Sequence, residues 1–154
     1  MAQRFNLSKV SPDGYKAFSP LYQYIASSGI EKTLVDLVFL RVSQFNGCAY
    51  CVDQHWRDAL NAGEDPRKIN SLLTWHEAPF FSERERAALA WTESLTNVST
   101  THVPDADYEA VKSQFSEKEI GDLTIVISLM NAMNRVGVSS RLAPPLMFRN
   151  RFKV

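Results

Sequence analysis

The chain has 154 residues, 17 acidic and 17 basic side chains, and only two cysteines, a length that suits one domain with a real hydrophobic core. Balanced charge supplies no overall field for DNA, RNA or an anionic surface, so neither nucleic acid nor a membrane is an expected partner. No stretch approaches the roughly twenty apolar residues that span a bilayer, and the opening residues lack the apolar run of a secretion signal, so a cytoplasmic protein is the expectation.

Along the chain, residues up to about 13 read as irregular, with Ser11-Pro12-Asp13-Gly14 a turn signal. A short helix is expected over 15–26 and a longer one over 31–45, where Leu34, Leu37, Val38, Val42 and Phe45 form a helical stripe. Phe39 and Leu40 fall off that stripe, which predicts a helix apolar on more than one side and deeply packed. Asn46-Gly47 breaks it, and the cysteine-containing segment then runs as a helix to near Gly63. Asp65-Pro66 is a cap followed by a first-turn proline, opening a helix to about Trp75. Ser82 with Glu85 and Ser116 with Glu119 are two capping boxes, for helices reaching about Leu95 and Val136. A short helix over 103–115 lies between them. The 123–130 stretch is rich in Thr, Ile and Val and competes as a strand, but the cap and the segment length favour helix. From Gly137 onward, with Pro144-Pro145, Arg149, Arg151 and Lys153, the chain reads as a tail or packing arm. Helical segments without alternating strands predict an all-α, multi-helix protein. The apolar surface of the 31–45 and 116–136 helices predicts an oligomer.

The chemistry is concentrated in Cys48-Ala49-Tyr50-Cys51-Val52-Asp53-Gln54-His55. At about 100° per helical residue, Cys48, Cys51 and His55 share a sector of roughly 60° on one face. That is a dithiol with its own base. An ordinary thiol, with a pKa of about 8.5, is only a few per cent ionised at neutral pH. Cys48 would sit in the first turn, near free backbone N–H groups that favour negative charge. His55, four residues after Cys51, can take its proton. This favours Cys51 as the attacking sulfur and Cys48 as the resolving one, although CxxC chemistry can also activate the first cysteine at a helix start. Inert buried thiols are one competing reading. A metal site of Cys48, Cys51, His55 and Asp36 is another, but no second Cys or His pair completes a tetrahedral set. Haem attachment needs histidine directly after the second cysteine. Glu85 is explained by its capping box, Trp56 and Trp91 as core or interface aromatics, and His76 and His102 as exposed or structural.

The run from Asp36 through Ser43, Asn46-Gly47-Cys48, Cys51 and His55 resembles the core of the alkylhydroperoxidase D and carboxymuconolactone decarboxylase family, and the likeness extends through the 84–90 stretch and the Phe115-Ser116-Glu117-Lys118-Glu119 segment. The resemblance implies a single all-α domain over 1–154 with its core at about 18–136, assembled as a homotrimer or homohexamer. It further implies that Cys51 is peroxidatic, that Cys48 resolves, and that His55 and the acidic residue at position 36 form a proton relay. Asp36 is one methylene shorter than the family's usual glutamate, and Tyr50 stands where the alkylhydroperoxidase D proteins carry a second histidine. Asp36 also lies opposite the main stripe, where it would be solvated unless that face meets the cysteine helix.

The function expected is a thiol-dependent peroxidase that takes a hydroperoxide substrate and is reset by an external dithiol reductant. No metal, flavin or nicotinamide cofactor is implied, because no Gly-rich phosphate-cradling turn is present. A dithiol–disulfide oxidoreductase and a non-enzymatic redox-sensing oligomer are the alternatives.

Overall fold

The computed structural model describes residues 2–145, and every regular element among them is helical. In chain order these are α1 (Leu7–Val10), α2 (Pro12–Lys16), α3 (Ser19–Ser27), α4 (Lys32–Phe45), α5 (Ala49–Asn61), α6 (Pro66–Asn70) with a 3₁₀ turn over Ser71–Thr74, α7 (Glu83–Thr96), α8 (Val98–Thr101), α9 (Asp105–Lys112) and α10 (Glu117–Ser140). The all-α expectation holds, including the 123–130 stretch, which lies inside α10.

Helix α4 is the hub. Every residue from Leu34 to Ser43 is buried, because the helix divides two apolar clusters instead of facing one. Leu34, Val38 and Val42 join α7, α9 and α10 on one side. Leu37 and Leu40 meet Ala59 of α5, Ile69, Leu72 and Trp75 on the other. Two-sided packing explains why its apolar residues overflow a single stripe. Phe45, placed on that stripe by the sequence, is instead 39 % exposed; the Arg41 guanidinium covers it 4.6 Å from the ring centroid.

The first residues depart from expectation. They form α1 and α2 instead of an irregular lead-in, because Asn6 Oδ1 caps the Ser8 N–H and Pro12 opens α2. The single helix expected over 15–26 is broken near Phe18. Pro20, lacking an N–H, cannot continue α2's hydrogen-bond ladder and sits in the first turn of α3. The helix expected to reach Trp75 from Asp65 tightens into 3₁₀ geometry after Asn70. At the other end, Gly137 does not start a tail: α10 continues to Ser140 and closes with Arg141 in the left-handed region. Arg149, Arg151 and Lys153 lie outside the described residues.

Both capping boxes form as read. At α10, Glu119 accepts from the Ser116 backbone N–H and hydroxyl, each at 2.8 Å, and from Arg84 at 2.6 Å. Those bonds hold its carboxyl at about 2, against an ordinary 4.5. Because the folded value lies below the unfolded one, the stabilisation is complete above pH 4.5 and is lost as the pH falls through about 2. Solvent reaches this side chain and screens it. Glu119→Gln is therefore expected to cost about 1 kcal/mol in urea unfolding at pH 7, with the two proteins converging near pH 2.

Candidate functional site

The site begins where α4 hands over to α5. Asn46 closes α4, and Gly47 takes φ +65°, the left-handed conformation that turns the chain back. The Cys48 N–H then donates to the Ser43 carbonyl at 3.1 Å. Side chains bolt this turn to α10. Asn46 Nδ2 donates to Asn131 Oδ1 and Asn134 Oδ1, each at 3.0 Å, and Asn134 Nδ2 donates to Ser43 Oγ at 3.1 Å. The Ser43, Asn46 and Gly47 of the motif therefore set the start of α5.

Cys48 is the N-cap of α5, one position before the first turn, with an extended backbone. Cys51 lies in the first turn, and the two sulfurs are joined as a disulfide. Both residues are buried, at 2 % and 7 % exposure. Gly137 of α10 packs directly on them: a Cβ there would lie 2.8 Å from Cys48 Sγ and 3.4 Å from Cys51 Sγ. The residue that reads as a helix breaker thus leaves room for the sulfurs.

The sulfurs differ in access. Cys51, together with His55, borders a cavity of about 520 Å³ whose other walls include Tyr15, Phe18, Tyr22, Tyr50, Met130 and Met133. Cys48 is not part of that wall. Burial, with Tyr15 and Tyr50 adding to it, pushes the Tyr22 hydroxyl up to about 12, so it stays protonated. Gln3, Asn6, Leu7 and Ser8 also line it, and the Arg4 N–H holds this lead-in to the end of α10 through Ser140 O at 2.9 Å.

His55 stands between this cavity and a second one of about 680 Å³, bordered also by Asp36, Asp58, Lys32 and Tyr22. Its ring lies 5.1 Å from that of Phe39, centroid to centroid. Burial lowers its pKa, while Asp58 and then Asp36 pull the other way. The net effect leaves a neutral imidazole at pH 7, the form able to accept a thiol proton.

Asp36 is buried at 6 % exposure, not solvated, because α4 packs that face towards α5. It borders the same cavity as His55, but its Oδ2 is taken by Lys32 at 2.6 Å. The carboxylate within ion-pair range of His55 is Asp58, with Oδ2 3.3 Å from Nδ1. Asp58 lies outside the motif, although its i, i+3 spacing from His55 was a readable signal. Gly137, Asn131 and Asn134 had none, since a lone residue on a distant helix gives no local clue. His76 is exposed, stacked on Trp75 and 3.5 Å from Glu93, and His102 is exposed. Among the described residues, no group of three or more His, Cys, Asp or Glu is arranged to hold a metal ion, and no helix is long and apolar enough to cross a membrane.

An all-helical frame with a Cys-x-x-Cys pair at a helix start and a histidine one turn on is the mark of one class of proteins. Residues 12–94 match the carboxymuconolactone decarboxylase family, and the chain belongs to it, on its alkylhydroperoxidase D-like side. It is 36 % identical over 139 residues to the uncharacterised protein YdfG of Bacillus subtilis, covering 90 % of this chain and 95 % of that one. A crystal structure from Agrobacterium tumefaciens, of a protein of unknown function provisionally described as the antioxidant defence protein AhpD, superposes with TM-score 0.92 at 37 % identity, over 95 % of this chain and 100 % of that one. A peroxidase-related protein from Silicibacter sp. TM1040 shares the fold, with TM-score 0.81 and 24 % identity over 93 % of this chain and 76 % of that one.

Proposed function

We propose that the protein is a thiol-dependent peroxidase for organic hydroperoxides. The observation that carries this reading is the asymmetry of the sulfurs: Cys51 borders the cavity of about 520 Å³ alongside His55, and Cys48 does not. In the reduced protein, His55 takes the Cys51 proton. The thiolate attacks the outer peroxide oxygen, the O–O bond breaks, and an alcohol leaves with Cys51 as sulfenic acid. Cys48 then attacks that sulfur, water departs, and the disulfide seen here is formed. An external dithiol reopens it by exchange, becoming a disulfide itself. Asp36 supports His55 electrostatically across the second cavity. No metal or organic cofactor enters the cycle.

The same reading includes a single domain over 1–154 and a reducing, cytoplasmic setting, where an exchangeable disulfide is catalytic and not a staple. It also includes assembly as a homotrimer or homohexamer. Phe5, Val10, Tyr15, Leu21 and Tyr24 are exposed near the N-terminus, a density of apolar groups that a partner subunit would cover. Sedimentation velocity is expected to give three or six copies; a monomer at micromolar concentration would overturn the assembly.

The activity test is anaerobic stopped-flow mixing of the fully reduced protein with a small excess of tert-butyl hydroperoxide, followed by intact mass. The expected result is rapid oxidation with loss of the mass of two hydrogens per chain. No reaction over minutes would overturn the peroxidase reading and turn the search to disulfide substrates.

A further inference from the structure

We infer that Asp58, held in place by Gln54, is the positioning residue for His55 in the peroxidase reading above, and that Asp36 is not. Three observations carry this. His55 Nδ1 is fully buried and has no hydrogen-bond partner. Such a nitrogen is costly to leave unsatisfied, and Asp58 Oδ2 lies 3.3 Å away, in reach but out of line. The other oxygen of Asp58 is already fixed, accepting from Gln54 Nε2 at 2.9 Å. Gln54 in turn accepts from Arg57 Nη2 at 3.1 Å, and Arg57 is tied to Asp53 at 2.8 Å. The carboxylate is therefore anchored on one side and open towards the imidazole on the other. A small rotation of Asp58 makes Nδ1–H its donor.

That bond decides the chemistry. An imidazole that donates through Nδ1 keeps Nε2 as its acceptor, so the nitrogen available to the Cys51 thiol is Nε2. Without the carboxylate, the two tautomers compete and part of the population offers the cavity an N–H that cannot take a proton. Asp36 is placed differently. Its Oδ2 is committed to Lys32, whose positive charge offsets part of what Asp36 offers His55. Gln54 adds a link, because it borders the same cavity as Cys51. A molecule that displaces Gln54 would also disturb Asp58.

The titratable groups around His55 are Asp58, Cys51 and Tyr50 on α5, Asp36 and Lys32 on α4, Tyr22 on α3 and Tyr15 on α2. Removing the Asp58 charge lowers the His55 pKa further, because that charge favours the imidazolium. The acid limb of Cys51 reactivity then moves to lower pH while its plateau falls. A structural defect would depress both without moving the limb.

The test uses the full, reduced chain with 15N-labelled histidine. It reads the His55 nitrogen shifts from pH 5 to 9 and the rate of Cys51 alkylation by iodoacetamide. The wild type is expected to hold the Nδ1–H tautomer. Asp58→Ala is expected to mix the tautomers, lower the alkylation plateau about twofold, as two comparably populated tautomers would, and shift its acid limb downwards. Asp58→Glu, which retains a carboxylate, should restore the tautomer, and Asp36→Asn should leave it unchanged. A wild-type tautomer in Asp58→Ala, or its loss in Asp36→Asn, would overturn the assignment. Neither readout needs a hydroperoxide, so failure of the peroxidase reading is seen separately, as a reactive thiol that ignores peroxide.

Discussion

Cys51→Ser is expected to reduce hydroperoxide consumption to the background rate, whereas Cys48→Ser should consume one equivalent per chain and stop. The second protein would hold a sulfenic acid that a dimedone probe labels, and with excess peroxide it would over-oxidise. Stability cannot produce that difference. Both substitutions open the same four-residue loop, worth roughly 2 kcal/mol in chain entropy, and both replace a buried sulfur by a hydroxyl. What separates them is access, since of the two sulfurs only that of Cys51 forms part of the wall of the cavity of about 520 Å³. Peroxide traces and dimedone mass shifts for the two proteins check this. A sulfenic acid in Cys51→Ser, with an inert Cys48→Ser, would exchange the roles of the two sulfurs.

The second large effect is expected at Gly137→Ala. Glycine inside a helix normally costs about 1 kcal/mol relative to alanine, so this change would ordinarily stabilise. Here the new methyl would lie 2.8 Å from Cys48 Sγ, and that sulfur is tied into the disulfide and cannot swing aside. Overpacking of this kind costs about 1–3 kcal/mol and reverses the sign. Gly121 supplies the control on the same helix, because a Cβ there meets nothing within 4 Å. Urea midpoints should rise for Gly121→Ala and fall for Gly137→Ala. Slower disulfide closure in Gly137→Ala should accompany the fall. Equal gains at both positions would remove α10 from the account of the site.

Local chemistry was legible in the sequence and tertiary chemistry was not. Ser82, Ser116 and Asp65 announce their caps because the partner lies two or three residues away. The Cys48, Cys51 and His55 spacing is equally local. Gly137 carries the signature of a helix end, yet α10 runs through it, since packing against the sulfurs outweighs its poor propensity. Asp36 reads as a solvated helix residue until α5 covers it, and nothing within α4 says which neighbour arrives. Phe45 fails in the opposite sense. It fits the stripe, but the stripe outlasts the partner it packs on. At the N-terminus, Pro20 marks the break of the expected 15–26 helix and is a readable signal, whereas one turn of α1 held by Asn6 is too short for periodicity to reveal.

Neither α1 nor α2 contains a buried residue, yet Gln3, Asn6, Leu7, Ser8 and Tyr15 wall the chamber in front of Cys51. In this fold, robustness and selectivity are written in separate parts of the chain. Trimming the first eight residues would scarcely alter a thermal melt, but it would let bulk thiols and crowded oxidants reach a sulfur that is now screened. Variation among relatives in that short lead-in would change which molecules get in while leaving the helical frame untouched.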